Sequence, residues 1–227
     1  MSSTAVLTDN CYGKSKVRVL KLQREKPQHD FVDLDVEVLL RGSGMEKAYL
    51  SDDNSRIIPT DTVKQTVYFL AAKHPLDPIE KFAVVIGKHF LTNYSWVSDV
   101  HVQIFQNLWQ RMAPFGKPLD QGFVQQPGKR VARVHATRSA ITVHAGVQDL
   151  ILLKTGGSGF VGFNKDSLTI LPEASDRMMS TNATVTWRYE REPACYNTTF
   201  QTIRDTLFEK FTDHYSPSLQ FTLHRMV

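Results

Sequence analysis

The spacing of apolar and polar residues changes period several times along the chain, and each change predicts a new element. Val17 and Val19 flank Arg18, after which the pattern slips to Leu20 and Leu22 around Lys21. Val32, Leu34, Val36 and Val38 then alternate with Asp33, Asp35 and Glu37. Period two with a polar face predicts antiparallel strands with one side packed and the other wet. Helical spacing follows. Val63, Val67, Leu70 and Ala71 share a face, and Thr60 or Asp61 is placed to cap the first turn. Asp77-Pro78-Ile79-Glu80 reads as an N-cap, an N1 proline and an N3 glutamate opening a second helix. The apolar stripe of that helix is Ile79, Phe82, Ala83, Ile86 and Phe90. Strand alternation returns at Val100, Val102 and Ile104, and again over residues 131–137 after a Pro127-Gly128 turn.

The second half opens the same cycle. Residues 141–144 and 150–154 are strand candidates on either side of Gly146, and residues 184–189 are a third. Phe200, Ile203, Leu207 and Phe211 mark a helix, and Ser216-Pro217 starts another by the cap-then-proline rule. The expected fold class is therefore α+β, in two tandem units over residues 1–138 and 139–227. Each unit is an antiparallel sheet with a helix pair, and the second has no returning pair of strands.

Composition narrows the function classes. The chain has 227 residues, 41% apolar and 22% charged, enough for a substantial core. No apolar run has the length of a membrane span and no signal peptide opens the chain, so no membrane partner is expected. Residues 1–10 are polar and expected to fray. The net charge is +4, but Lys and Arg are scattered among acids without an aromatic-basic cluster, which argues against nucleic acid. Cys11 and Cys195 are far apart and read as two free thiols in a reducing compartment. The eight histidines show no paired-ligand spacing, so no metal is expected. Gly156-Gly157-Ser158-Gly159 lacks the Gly-Lys-Ser/Thr ending and the helix of a phosphate loop. Asn197-Thr198-Thr199 fits a glycosylation acceptor, which is idle without a secretory signal.

Five stretches in order carry a resemblance. They are Tyr12-Gly13-Lys14; Asp53-Asn54-Ser55 with Ile57-Ile58-Pro59-Thr60-Asp61-Thr62 and Lys64-x-Thr66-Val67-Tyr68; and His144-x-Gly146-x-x-Asp149-Leu150 running on to Ser158-Gly159-Phe160-x-Gly162-Phe163. Then come Pro172-Glu173, Asp176-Arg177 and Thr186-Trp187-Arg188-Tyr189, and last Tyr215-Ser216-Pro217-Ser218-Leu219-Gln220-x-Thr222-Leu223. Together they resemble the urate oxidase (uricase) family. The resemblance implies tandem tunnelling-fold (T-fold) domains, a barrel-shaped homotetramer and active sites between subunits. It also implies oxidation of urate by dioxygen to 5-hydroxyisourate and hydrogen peroxide in purine catabolism, with no metal or organic cofactor. A peroxisomal location follows by resemblance. Arg225-Met226-Val227 is not a Ser-Lys-Leu-type signal, which leaves a cytoplasmic location open.

The residue types suit a planar purine anion. Phe160 supplies a ring face, Arg177 a bidentate guanidinium fork, and Gln220 an amide that donates and accepts. Leu219 stands where the family uses a backbone contact. Thr60 and Asp61 lie at a helix N-terminus, where free N–H groups favour an anion. Lys14 and Thr60 resemble the family's proton relay, which the neighbouring subunit contributes. Taken singly, each has an ordinary reading. Phe160 would anchor a turn, Arg177 a surface ion pair, and Thr60 a helix end, while Lys14 and Gln220 would be solvated. Their joint placement favours the site.

The family's pattern continues past the last helix with returning strands and a late Asn-x-His segment. The expectation is thus a second domain without its last strands and little turnover from these residues alone. The alternative is a non-catalytic uricase-like subunit that binds purine or full-length subunits. An unrelated basic binding module is the third and weakest reading.

Overall fold

The computed structural model describes residues 6–227; part of the segment expected to fray, residues 1–5, lies outside them. Six strands form one antiparallel sheet in sequence order, β1 (Tyr12–Gln23), β2 (Asp30–Gly42), β3 (Val97–Arg111), β4 (Phe123–Thr137), β5 (Ile141–Lys154) and β6 (Met179–Arg188). A short helix, α1 (Lys47–Leu50), precedes two long ones between β2 and β3, α2 (Thr60–Lys73) and α3 (Ile79–Asn93). After β6 come α4 (Tyr196–Thr212) and α5 (Leu219–Arg225). The architecture is α+β. Residue 138, the expected boundary, falls in the turn between β4 and β5, across which the ladder is continuous.

Apolar alternation places one face of the sheet under the helices. Leu34, Val36, Val38 and Leu40 of β2 and Val100, Val102 and Ile104 of β3 are buried there against Val63, Val67 and Leu70 of α2 and Ile79, Phe82, Ile86 and Phe90 of α3. Burying each large apolar side chain contributes about 1.5–3 kcal/mol, which outweighs the weak helix propensity of these β-branched and aromatic residues. A second, smaller cluster joins Val147 of β5 to Phe200 and Leu207 of α4. The two clusters meet at Arg130. Its guanidinium donates to both oxygens of buried Glu80 at 3.0 and 2.7 Å and to Asn197 at 2.7 Å.

Several local expectations are corrected. The slip to Leu20 and Leu22 does not occur. Both stay on the exposed face, while Lys21 remains on the helix side and donates to the carbonyls of Ala71 and His74 at the end of α2. A lysine amine satisfying C-terminal carbonyls makes this polar residue fit an inward position. The wet face of β2 is also interrupted, because Asp33 is buried beneath Arg18 and Trp109. Neither Thr60 nor Asp61 caps α2. Pro59 is the N-cap, without a side-chain bond. Likewise Pro78, not Asp77, precedes α3, and Glu80 serves the buried ion pair instead of a capping box.

The two strand candidates around Gly146 are one strand, β5, irregular between Val147 and Leu150 with Asp149 at φ 58°. Strand β4 begins before Pro127-Gly128 and runs through it, with Gly128 at φ 80°. Ser216 does not start α5. It is buried, and Ser218 caps the helix by accepting from the Phe221 N–H at 3.2 Å.

Candidate functional site

The residues singled out in the sequence fall into two groups. The first sits where β1 begins. Tyr12 points to the start of α2, and its hydroxyl accepts from the Ile58 N–H at 2.6 Å, fixing the segment that ends at Pro59. Thr60 and Asp61 form the first turn of α2 with no side-chain cap, so their N–H groups have no intrahelical partner. Both are exposed, while Lys14 on β1 is half-buried. Lys64 meets the Asp61 carboxylate at 2.5 Å. That hydrogen bond, together with the positive charges of Lys64 and Lys14, holds the Asp61 carboxyl below the usual range. Lys14, Thr60 and Asp61 are therefore one neighbourhood, with ammonium groups, a hydroxyl and free N–H groups facing solvent.

The second group sits beyond the end of β5. The Gly159 N–H donates to Ser216 and the Ser216 N–H to Gly157, both at 2.9 Å, and the Arg177 N–H donates to Ser158 at 2.7 Å. Phe160 and Ala174 exchange backbone bonds of 2.7 and 3.1 Å. The Tyr215 hydroxyl donates to Ser175 at 2.7 Å, and buried Thr222 donates to Ser216 at 2.7 Å, tying α5 to the same knot. Only glycine fits at 159, since a Cβ there would lie 2.0 Å from the Tyr215 hydroxyl. Lys154 anchors the knot to the sheet by donating to the His214 carbonyl at 2.9 Å. Its amine is held below the ordinary lysine range by burial.

This scaffold brings Phe160 and Arg177 together, with the guanidinium 5.2 Å from the ring centroid. The Arg177 Nε is buried without a hydrogen-bond partner among the described residues. Leu219 and Gln220 are exposed in the first turn of α5, on the element that Ser216 fastens. The geometry supplies a ring face, a guanidinium and an amide, the features that bind a flat anion.

Register separates the two groups. Lys14 pairs with Val38, Val38 with Val102, Val102 with Val134, and Val134 with Val143 near the start of β5. The second group follows Lys154 at the other end of β5, which pairs with Met179 at the start of β6. β1 and β6 are opposite edges of the sheet, five strand spacings or about 24 Å apart. The groups therefore occupy opposite edges and opposite ends, on a diagonal of one sheet. No hydrogen bond or ion pair joins them among the described residues.

Three contributors escaped sequence reasoning. Tyr12 belongs to a motif, but its lock on Ile58 is a tertiary contact. Phe163 stacks on Phe160 at 4.7 Å and 10° and so takes one ring face; the Phe-x-Gly-Phe spacing was its only signal. Ser216, read as a helix cap, is a buried hub. Cys11 and Cys195 are both free and exposed.

The family model described as Uricase matches residues 10–134 and 143–227. The chain is 38% identical to the uricase of Dictyostelium discoideum over 224 residues, covering 96% of this chain and 77% of that protein. It is 39% identical to the uricase of Oryctolagus cuniculus, covering 94% and 73% respectively. Among solved structures it is similar to the uricase from Arthrobacter globiformis, with a TM-score of 0.90 and 32% identity over 99% of this chain and 76% of that one.

Proposed function

The chain belongs to the uricase family, and from that premise we propose that it takes part in oxidation of urate by dioxygen at sites shared between subunits, without a metal or organic cofactor. Urate, dioxygen and water become 5-hydroxyisourate and hydrogen peroxide. Two electrons pass from the purine to dioxygen, the hydroxyl of water joins the ring carbon, and the released protons end on peroxide. Phe160 stacks on the purine, while Arg177 and Gln220 clamp its edges. The backbone at Leu219 contributes a further contact. Thr60 and Asp61 offer N–H groups from the start of α2, and the hydroxyl of Thr60 relays protons with the Lys14 amine.

The observation that carries this reading is the diagonal split. Lys14 and Thr60 lie at one corner of the sheet, and Phe160 and Arg177 lie beyond the opposite one. A second copy that brings its Lys14 and Thr60 to the Phe160 and Arg177 of the first completes the site, as a closed assembly such as a homotetramer does repeatedly.

The test uses two single variants, Lys14→Met and Arg177→Ala, assayed for urate loss and peroxide release alone and after co-assembly. Each alone is expected to be inactive. Where the parent turns over, the mixture recovers up to about a quarter of its rate, the chance that a random interface joins an intact Lys14 to an intact Arg177. A mixture as inactive as its folded components sinks the shared site. A parent that binds urate anaerobically yet releases no peroxide sinks turnover in favour of the purine-binding subunit.

A further inference from the structure

The face of the sheet away from the helices carries a side-chain cluster that the urate reading does not use. Asp99 and His101 are two residues apart on β3 and so project from the same face. His101 pairs directly with His135 of β4, and their rings lie parallel at 4.3 Å with 6° between planes. His135 Nε2 is 2.9 Å from Asp99 Oδ1. One ligand atom from each of the three residues lies within 4.8 Å of the others.

We propose that Asp99, His101 and His135 form a binding site for a divalent transition metal of the zinc, nickel and copper class.

Four features support this. First, two imidazoles and one carboxylate are the donor set that such borderline cations prefer, whereas calcium and magnesium take oxygen ligands. Second, two rigid neighbouring strands hold the donors, with directly opposed Cβ atoms about 5 Å apart. Ligand atoms on one zinc ion are bonded at about 2.0–2.2 Å, so the cluster needs to close by roughly an ångström. That is within reach of χ rotation, because the side chains of His135 and Asp99 are 41% and 30% exposed. Turning one imidazole out of the parallel stack aims both nitrogens at a common point. Third, the carboxylate already has an outer partner, since the Ser98 hydroxyl donates to Asp99 Oδ2 at 2.7 Å and leaves Oδ1 facing the histidines. Ligating carboxylates are commonly oriented in this way. Fourth, His101 and His135 line a cavity of about 410 Å³ that gives room for a fourth, solvent ligand.

Arg41 and Arg133 line the same cavity and oppose a cation, but each is engaged elsewhere. Arg41 is 3.2 Å from Asp9, and Arg133 donates to Gln103 at 3.0 Å. Their charge disfavours weak binders and leaves the strong imidazole ligands to decide. The sequence did not disclose the cluster because His135 stands 34 residues after His101 and only strand register joins the two.

Chelator-treated chain is titrated with Co²⁺ and then Zn²⁺ alone, following calorimetry and the visible Co²⁺ bands. One equivalent should bind with a Kd of about 10 µM or tighter, and zinc should abolish the cobalt bands. His135→Gln and Asp99→Asn should each weaken binding more than tenfold, within or beyond the roughly 10–100-fold typical of outer-shell losses. His224→Gln, at the exposed end of α5, should leave it unchanged. His135→Gln carries the test should His101→Gln fail to fold. A parent that binds zinc no tighter than about 1 mM, or variants at Asp99 and His135 that bind as the parent does, overturn the proposal.

Discussion

Replacing Glu80 by Gln is expected to destabilise the chain by about 3–5 kcal/mol, the usual cost of breaking a buried ion pair from one side. The Glu80 side chain is fully buried and that of Arg130 is 6% exposed. The neutral amide leaves a cation without its main counter-charge. Asp77 stands 3.9 Å from Arg130, and Asn197 and the Phe200 ring still touch the guanidinium, so the lower end of the range is expected. For a chain of this size about 3 kcal/mol lowers Tm by roughly 6–12 °C. Urea unfolding of Glu80→Gln, Arg130→Met and the Glu80→Met/Arg130→Met double variant measures it. The double variant should cost less than the sum of its single changes by about 0.5–3 kcal/mol, because no orphan charge remains. Amide exchange should quicken first at the start of α4, where Asn197 and Phe200 depend on Arg130. A Glu80→Gln loss below about 1 kcal/mol, or strict additivity, would refute the claim that this pair couples the two clusters.

Other expectations follow from the same geometry. Phe82→Ala should cost about 3–5 kcal/mol in urea unfolding, since it opens a cavity between α3 and the sheet. Gly159→Ala should cost about 1–3 kcal/mol by overpacking against the Tyr215 hydroxyl, and adding Tyr215→Phe should recover part of it. Arg177→Ala should weaken anaerobic urate binding by about 2–4 kcal/mol, roughly thirty- to a thousandfold by calorimetry; unchanged affinity removes Arg177 from the clamp. Burial holds His89 below its ordinary value of 6.5, so the folded state resists a proton that the unfolded chain accepts, and stability should fall as pH drops below that value. Hydrogen bonds from Lys210 and His214 hold Asp213 at about 2, against 3.8 unfolded, so its contribution is present above 3.8 and lost as pH falls through 2. Tm that is flat from pH 7 to 2 contradicts both.

Much of the fold was legible because periodicity reports which face is buried. The stripes of α2 and α3 are all buried as their spacing predicts, and Leu34, Val36 and Val38 face inward together. The residue types of the candidate site come from its ordered motifs. Where a residue's final position departs from its local spacing, a tertiary partner is the cause. Lys21 takes an inward position because helix carbonyls await it, and Glu80 leaves the role of a capping residue because Arg130 lies beside it. Ser216 became a hub because Thr222 and the chain near Gly159 converge on it.

The sequence by itself determined the period of most elements, the buried stripes of α2 and α3, and the identities of Lys14, Thr60, Phe160, Arg177 and Gln220. Those are local properties, written in spacings of two to four residues. Only the tertiary structure decided that Lys14 and Thr60 stand at the opposite corner of one sheet from Phe160 and Arg177, and that Asp99 and His101 meet His135. Strand order and register set those distances, through hydrogen bonds between residues far apart in the chain, and no local spacing encodes them.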